Sequence, residues 1–446
     1  MRRHPDRKKE IFFPIEIKPR EFVSRALLGA FFADKGYRVY LGAKGPVNKA
    51  VLSKPERGGV YFYKGIRQKA DTPSLLEKVD TFCVLDEEIG VAARYLNERL
   101  EQRVKGMDRV DKFFTISRYV ADAVVRACPE AASKVSVTGW PKVDTWRPEM
   151  RHMFRRQAES YNQRFGEFVL FTSDFGVLSR ARANHEIAHI KKIGFPDAYV
   201  SSYISGVDST LADFDRFCDE LRSYDALPDA PPLIVRPHPA EDREVWDQRL
   251  NGMRRVSVVY ENEVSGWLQA CRMLVHRGCT TAVQARVGGK PAFFWAPENT
   301  SPETGILPYE VSAKLGALSE ILTHWADPSA SMRDIAIPAY KLEMGEKLSS
   351  ERIFDEVDSL GIVPTLPVQI RLRKRFSAKL KAIRRRIINS NTFRTRQVVD
   401  PLRARKLQDG FHAAELESYL VDAFPMGSYK VTQLAPDLIL LEGGSS

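Results

Sequence analysis

Short apolar runs alternate with amphipathic stretches along the first third of the chain. EIFFPIEI (10–17), YRVYLGA (37–43), GGVYFYKG (58–65), VDTFCVLDEE (79–88), KFFTIS (112–117) and KVSVTG (134–139) read as strands. Between the first two, REFVSRALLGAFFADKG (20–36) reads as a helix closed by Gly36. Strand–helix alternation at this spacing predicts a parallel sheet with helices on both faces. From about residue 145 to 165 the chain turns polar and arginine-rich, a helical link. The alternation then restarts with EFVLFTS (167–173), a helical region over 181–226, PPLIVRP (231–237), RVSVVYE (255–261), CRMLVHRG (271–278) and KPAFFWAP (290–297). A second parallel α/β unit follows from this pattern.

After residue 365 the character changes. RLRKRFSAKLKAIRRRIINS contains no acid, and Leu372, Phe376, Leu380, Ile383 and Ile387 recur at helical spacing as one apolar stripe among Arg and Lys. The last fifty residues read as a small helix-plus-strand appendage. The expected organisation is an N-terminal Rossmann-like acceptor-side domain (1–145), a C-terminal Rossmann-like nucleotide-sugar domain (146–365), and an extension (366–446). The two domains are expected to face each other across a cleft, the GT-B arrangement of α/β folds, with ligands at the carboxyl ends of strands.

Composition narrows the class. At 446 residues, with 43% hydrophobic and 28% charged positions, the chain suits two soluble domains with sizeable cores. Its net charge of +11 points to an anionic partner. The excess sits near the C-terminus and lacks the aromatic–basic interleaving of RNA binders, which argues against nucleic acid. Five scattered cysteines in no metal-ligand spacing make a zinc site unexpected and suit reduced thiols in the cytoplasm. No run approaches the length of a membrane span, and no apolar segment follows the basic N-terminus as a secretory signal requires. No cofactor is expected.

Two strand ends in the second domain carry candidate chemistry. IVRPHPAE delivers Arg236 and His238 into a loop stiffened by two prolines. Arginine offers a fork to phosphate oxygens and histidine a proton or hydrogen bond to a leaving phosphate, although a lone histidine there can equally just end a strand. HRGCTTAVQARVGG ends a strand at His276, turns at Gly278 and opens a helix with Thr280 and Thr281. Hydroxyls at a helix start can donate to phosphate or simply cap the helix. Thr172 and Ser173, just after EFVLFTS, are weaker candidates. In the first domain, VLDEEIG places Glu87 and Glu88 at the end of an apolar run. Either could be a general base, or the acids could complement a helix dipole. PIEIKPREF reads as cleft-lining or as a local ion-pair cluster, and VTGWPKVDTW as a tight, shaped loop.

In order, PIEIKPREF, VLDEEIG, VTGWPKVD, FVLFTSDFG, IVRPHPAE and RGCTTAVQARVGGKP resemble the bacterial surface carbohydrate biosynthesis proteins, which are similar to GT-B transferases that use CMP-sugars. The resemblance spans about residues 10 to 345. It implies a general base at Glu88 or Glu87, a phosphate-binding acid at His238 and phosphate-binding hydroxyls at Thr280 and Thr281. Ile89 separates the acids from Gly90, where that family's pattern has glycine directly after the second acid. Gln284 stands where many GT-B enzymes hold a ribose with glutamate.

The function expected is a metal-independent glycosyltransferase, taking a nucleotide-activated, CMP-linked sugar to a glycan or lipid-linked acceptor in capsule or lipopolysaccharide synthesis. The 371–387 stripe would dock it on the anionic inner face of the membrane. Alternatives of the same fold are a non-hydrolysing UDP-N-acetylhexosamine 2-epimerase, a teichoic-acid-type glycerophosphotransferase, or a decayed nucleotide-binding relative.

Overall fold

The structure is a computed structural model describing residues 6–66, 72–87, 100, 104–192, 197–239, 241–297, 306–369, 407 and 410–444. Glu88 and the basic stripe 371–387 lie outside the described residues. Two compact units divide the chain: Met1–Leu85 with Lys105–Phe114 and Ser350–Ser446, and Asp86–Val104 with Thr115–Ser349. These bounds differ from breaks at 145 and 365, because the chain after Ser350 returns to the first unit.

The first sheet contains β1 (Glu10–Ile15), β2 (Arg38–Ala43), β3 (Val60–Tyr63), β4 (Thr81–Asp86), β5 (Lys112–Thr115) and β6 (Val135–Val137). At its other edge stand β13 (Tyr429–Ala435) and β14 (Leu438–Gly443), giving the order β13-β14-β2-β1-β3-β4-β5-β6. β1 pairs in parallel with β2 and β3, and β3 with β4. β1 and β2 are buried on both faces, which is why they appear as near-continuous apolar runs. The exception, Glu10, is buried against Lys54 as an ion pair, with Tyr40 and Thr365 donating to the same carboxylate at 3.0 and 2.9 Å.

The C-terminal appendage completes this sheet. β14 pairs antiparallel with β2 and β13 with β14. Helix Ala413–Ala423 packs beside helix Lys18–Asp34, and Phe411 meets Phe22 edge-on at 5.2 Å. Helix Lys18–Asp34 starts with Pro19 in its first turn, and Glu21 accepts the Glu16 and Ile17 amides at 3.1 and 3.2 Å, the reach-back of a capping box. Glu16, at the β1 end, forms a local ion cluster with Lys44 and with Lys64 at 3.0 Å. Burial alone would raise its pKa, but Lys64, Lys44 and the Tyr63 hydroxyl outweigh burial and hold it far below the carboxylate range.

The second sheet has β7 (Val169–Thr172), β8 (Leu233–Arg236), β9 (Val256–Val258), β10 (Met273–His276), β11 (Ala292–Trp295) and β12 (Ala313–Leu315), in the order β12-β11-β10-β7-β8-β9, and its listed pairs are parallel. The chain runs outward from β7 through β8 to β9, then restarts at β10 on β7's other side. β7 and β10 therefore flank a topological switch point, where α/β sheets hold ligands beyond the strands' carboxyl ends. Trp246, Phe217, Phe171 and Trp295 build the core beneath. Among the described residues, no helix is long and apolar enough to cross a membrane.

Candidate functional site

Register puts three side chains in line across the carboxyl edge of the second sheet. Thr172 of β7 pairs with His276 of β10 on one side and with Arg236 of β8 on the other. The loops beyond these strands contain every second-domain candidate.

The two threonine-bearing segments meet. Thr172 Oγ1 is 2.8 Å from Thr281 Oγ1, although the residues are far apart in sequence. Thr281 begins helix Thr281–Val287, and Thr280 is its N-cap, but the Thr280 hydroxyl caps no amide. Plain capping therefore does not account for Thr280. Gly278 has φ of +90°, and a Cβ there would lie 2.8 Å from Tyr309 Oη, so glycine is required for both conformation and space.

His276 fixes this turn. Its Nδ1 accepts the Gly278 N–H at 3.0 Å, which leaves the proton on Nε2, 2.9 Å from Ser312 Oγ. Ser312 Oγ in turn donates to Pro308 O at 2.7 Å. Desolvation pushes the imidazole pKa down to about 3, so His276 is a neutral structural histidine.

On the β8 side the organising residue is Glu241, which the sequence pattern did not single out. Its carboxylate is buried and accepts four donors. Ser173 Oγ lies 2.8 and 2.6 Å from its two oxygens, and Gly176 N–H donates at 3.0 Å. His238 N–H donates at 3.3 Å and Trp246 Nε1–H at 2.9 Å. Desolvation pushes this carboxyl above its ordinary pKa even against those four hydrogen bonds. Glu241 thereby ties the β7 loop to the Pro237–Pro239 loop and fixes the backbone from which the half-buried His238 imidazole extends. Ser173, expected as a ligand group, is one of its hydrogen-bond donors.

Arg236 points elsewhere. Its guanidinium donates to Glu261 O at 2.6 Å and also to Asn262 O, so it holds the loop after β9. Asn262 has φ of +59° and donates from its side chain to Tyr161 Oη at 2.7 Å. Arg277 is paired with Asp213 at 2.5 Å.

Gln284 is fully buried, and neither its amide nitrogen nor its amide oxygen makes a hydrogen bond. Lys142, from the shaped loop, is a further cation here that sequence pattern did not single out. Desolvation and then Asp174 raise the Cys279 thiol pKa, while Lys142 pulls it down, so both charges act beside the Thr280 turn. Glu87 directly follows β4 and is half-buried; it lies in a separate stretch of chain from these loops.

No protein-family model matches the sequence, and no curated protein sequence matches it. Solved structures do share the fold. An S. aureus MnaA–UDP co-structure is 13% identical, with 79% of this chain and 96% of that chain covered at a TM-score of 0.51. UDP-GlcNAc 2-epimerase from Neisseria meningitidis bound to UDP-GlcNAc is 12% identical, with 79% and 100% covered at 0.48. The wall teichoic acid polymerase TagF is 10% identical, with 79% and 89% covered at 0.45. Two parallel α/β sheets and this likeness define a GT-B type fold.

Proposed function

We propose that the chain is a glycosyltransferase of bacterial surface polysaccharide synthesis that takes a nucleotide-activated, CMP-linked sugar. One observation carries the reading: hydroxyl, imidazole and amide side chains converge at the β7/β10 switch point, where the fold binds ligands. In this reading the His238 imidazole hydrogen-bonds the leaving phosphate. Thr280 and the Thr172–Thr281 pair donate to its oxygens, and Gly278 lets the phosphate approach the main chain. Gln284 takes the ribose, and Glu88 or Glu87 accepts the acceptor's proton. The acceptor is a glycan or lipid-linked glycan, and the basic stripe 371–387 docks the enzyme on an anionic leaflet.

The test is a panel of CMP-, CDP-, UDP- and GDP-linked donors, scored for thermal stabilisation and for turnover with and without acceptor. A ligand that binds only the folded state stabilises it as ln(1 + [L]/Kd). Stabilisation by CMP and acceptor-dependent release of CMP from its sugar is the expected result. Acceptor-independent conversion of a UDP-N-acetylhexosamine indicates an epimerase, and glycerol phosphate transfer from CDP-glycerol indicates a glycerophosphotransferase. Binding without turnover of any donor indicates a decayed site.

A further inference from the structure

The turn after β6 is held firmly by its backbone while its side chains are left unsatisfied. Thr138 and Gly139 N–H both donate to Thr115 O, at 3.1 and 3.2 Å, and Gly139 has φ of +85°. Thr138 and Trp140 are each 2% exposed, yet Thr138 Oγ1 and Trp140 Nε1 make no hydrogen bond. Trp140 directly precedes helix Pro141–Asp144, which packs on helix Thr281–Val287. The face of the second helix turned this way is marked by Gly288, where a Cβ would lie 2.8 Å from Trp146 Cε3. Gln284 stands one turn back on that same face. Its two amide atoms are buried and unpaired as well. Native interiors seldom leave so many polar atoms unmatched in two packed segments.

We propose that Thr138, Trp140 and Gln284 line one polar pocket of the second unit, and that it takes the hydroxyl-bearing ring next to the ligand's phosphate. That ring is either the ribose of the nucleotide or the sugar it carries; the proposal rests on the nucleotide-sugar reading above. The chemistry selects hydroxyls over phosphate. The indole N–H only donates, whereas the amide and the threonine hydroxyl both donate and accept, and a sugar hydroxyl does both. A phosphate would leave the Gln284 oxygen unmatched. The spacing agrees, since Gln284 lies four residues beyond Thr280, about 6 Å along the helix axis. Lys142, two residues beyond Trp140, acts electrostatically beside Thr280, so the same turn reaches the phosphate end of the site.

The experiment is calorimetric titration of the full chain and of its Thr138→Val, Trp140→Phe and Gln284→Met variants. The probes are a nucleotide that binds wild type, its 2′,3′-dideoxy form and its sugar-linked form. Melting of each unliganded variant is recorded alongside. Thr138→Val and Gln284→Met are expected to melt at or above wild type, because each removes an unmatched polar group, while binding about tenfold more weakly. If the ring is the ribose, the loss vanishes for the dideoxy nucleotide. If the ring is the carried sugar, the loss is confined to the sugar-linked form. Variants that bind every form like wild type, or that lose all forms equally, overturn the pocket and leave nucleotide binding standing. A wild type that binds no nucleotide overturns both.

Discussion

The Glu241 carboxylate accepts the main-chain N–H of His238 at 3.3 Å while the same group holds the Ser173 hydroxyl, so one buried acid sets the relative position of two strand-end loops. Glu241→Gln keeps the volume but turns an amide N–H₂ toward donors. Leaving buried donors unmatched costs about 1–3 kcal/mol, and we expect a lower melting temperature with that loss. The sign with pH follows from the raised pKa. The folded protein holds this proton more tightly than the unfolded chain, so the contribution is full below the ordinary carboxylate pKa and is lost as pH rises through the folded value. Wild type should therefore lose stability relative to Glu241→Gln across that interval; parallel curves would show that the carboxyl is not the titrating group.

His276 gives the opposite slope. Its folded pKa of about 3 lies below the ordinary histidine value, so its contribution is present at neutral pH and is lost as pH falls from about 6.5 toward 3. Each pH unit in that window should cost about 1.4 kcal/mol of stability. His276→Asn, which can still accept the Gly278 N–H, should flatten this part of the profile. Urea melts of both proteins at a series of pH values check it.

Much of this architecture is legible in the sequence because parallel strands buried on both faces leave continuous apolar runs. LIVR, VLFT and MLVH stand out for that reason, and their ends locate Thr172, His276 and the Thr280 turn. The site's fixing residue is harder to see. AEDREVW offers several acids, and only the fold shows that Glu241 turns inward to meet Ser173 and the Trp246 indole. Arg236 illustrates the converse: its side-chain type suits phosphate, but β9 lies next to β8 and offers the Glu261 and Asn262 carbonyls. β13 and β14 were visible as strand-forming sequence, yet their pairing with β2 joins residues about four hundred positions apart, which no local pattern encodes.

The base assignment separates two neighbours. Glu88→Gln is expected to slow turnover about a hundred- to ten-thousand-fold with little change in donor affinity, because the base acts on the acceptor's proton. Steady-state kinetics of Glu87→Gln alongside will show which acid serves: if Glu88→Gln is silent and Glu87→Gln is slow, Glu87 is the base.

The membrane reading rests on sequence alone. Wild type should sediment with anionic liposomes and stay in solution with neutral ones, each basic residue near the surface contributing about 1 kcal/mol. A variant with Arg and Lys of 371–386 replaced by Gln should lose this. Equal pelleting of both proteins on anionic vesicles would leave the stripe as a solvated or packed helix.

The central claim is that the β7/β10 switch point of the second unit binds the phosphate of a nucleotide-linked donor through His238 and Thr280. The most direct measurement is calorimetric titration of CMP into wild type, His238→Ala and Thr280→Val, with melting curves to confirm that each variant is folded. His238→Ala should weaken binding by about 1.5–3 kcal/mol, the value of a hydrogen bond to a charged group, and Thr280→Val should weaken it measurably. Nucleotide affinity in both folded variants equal to that of wild type would contradict the account.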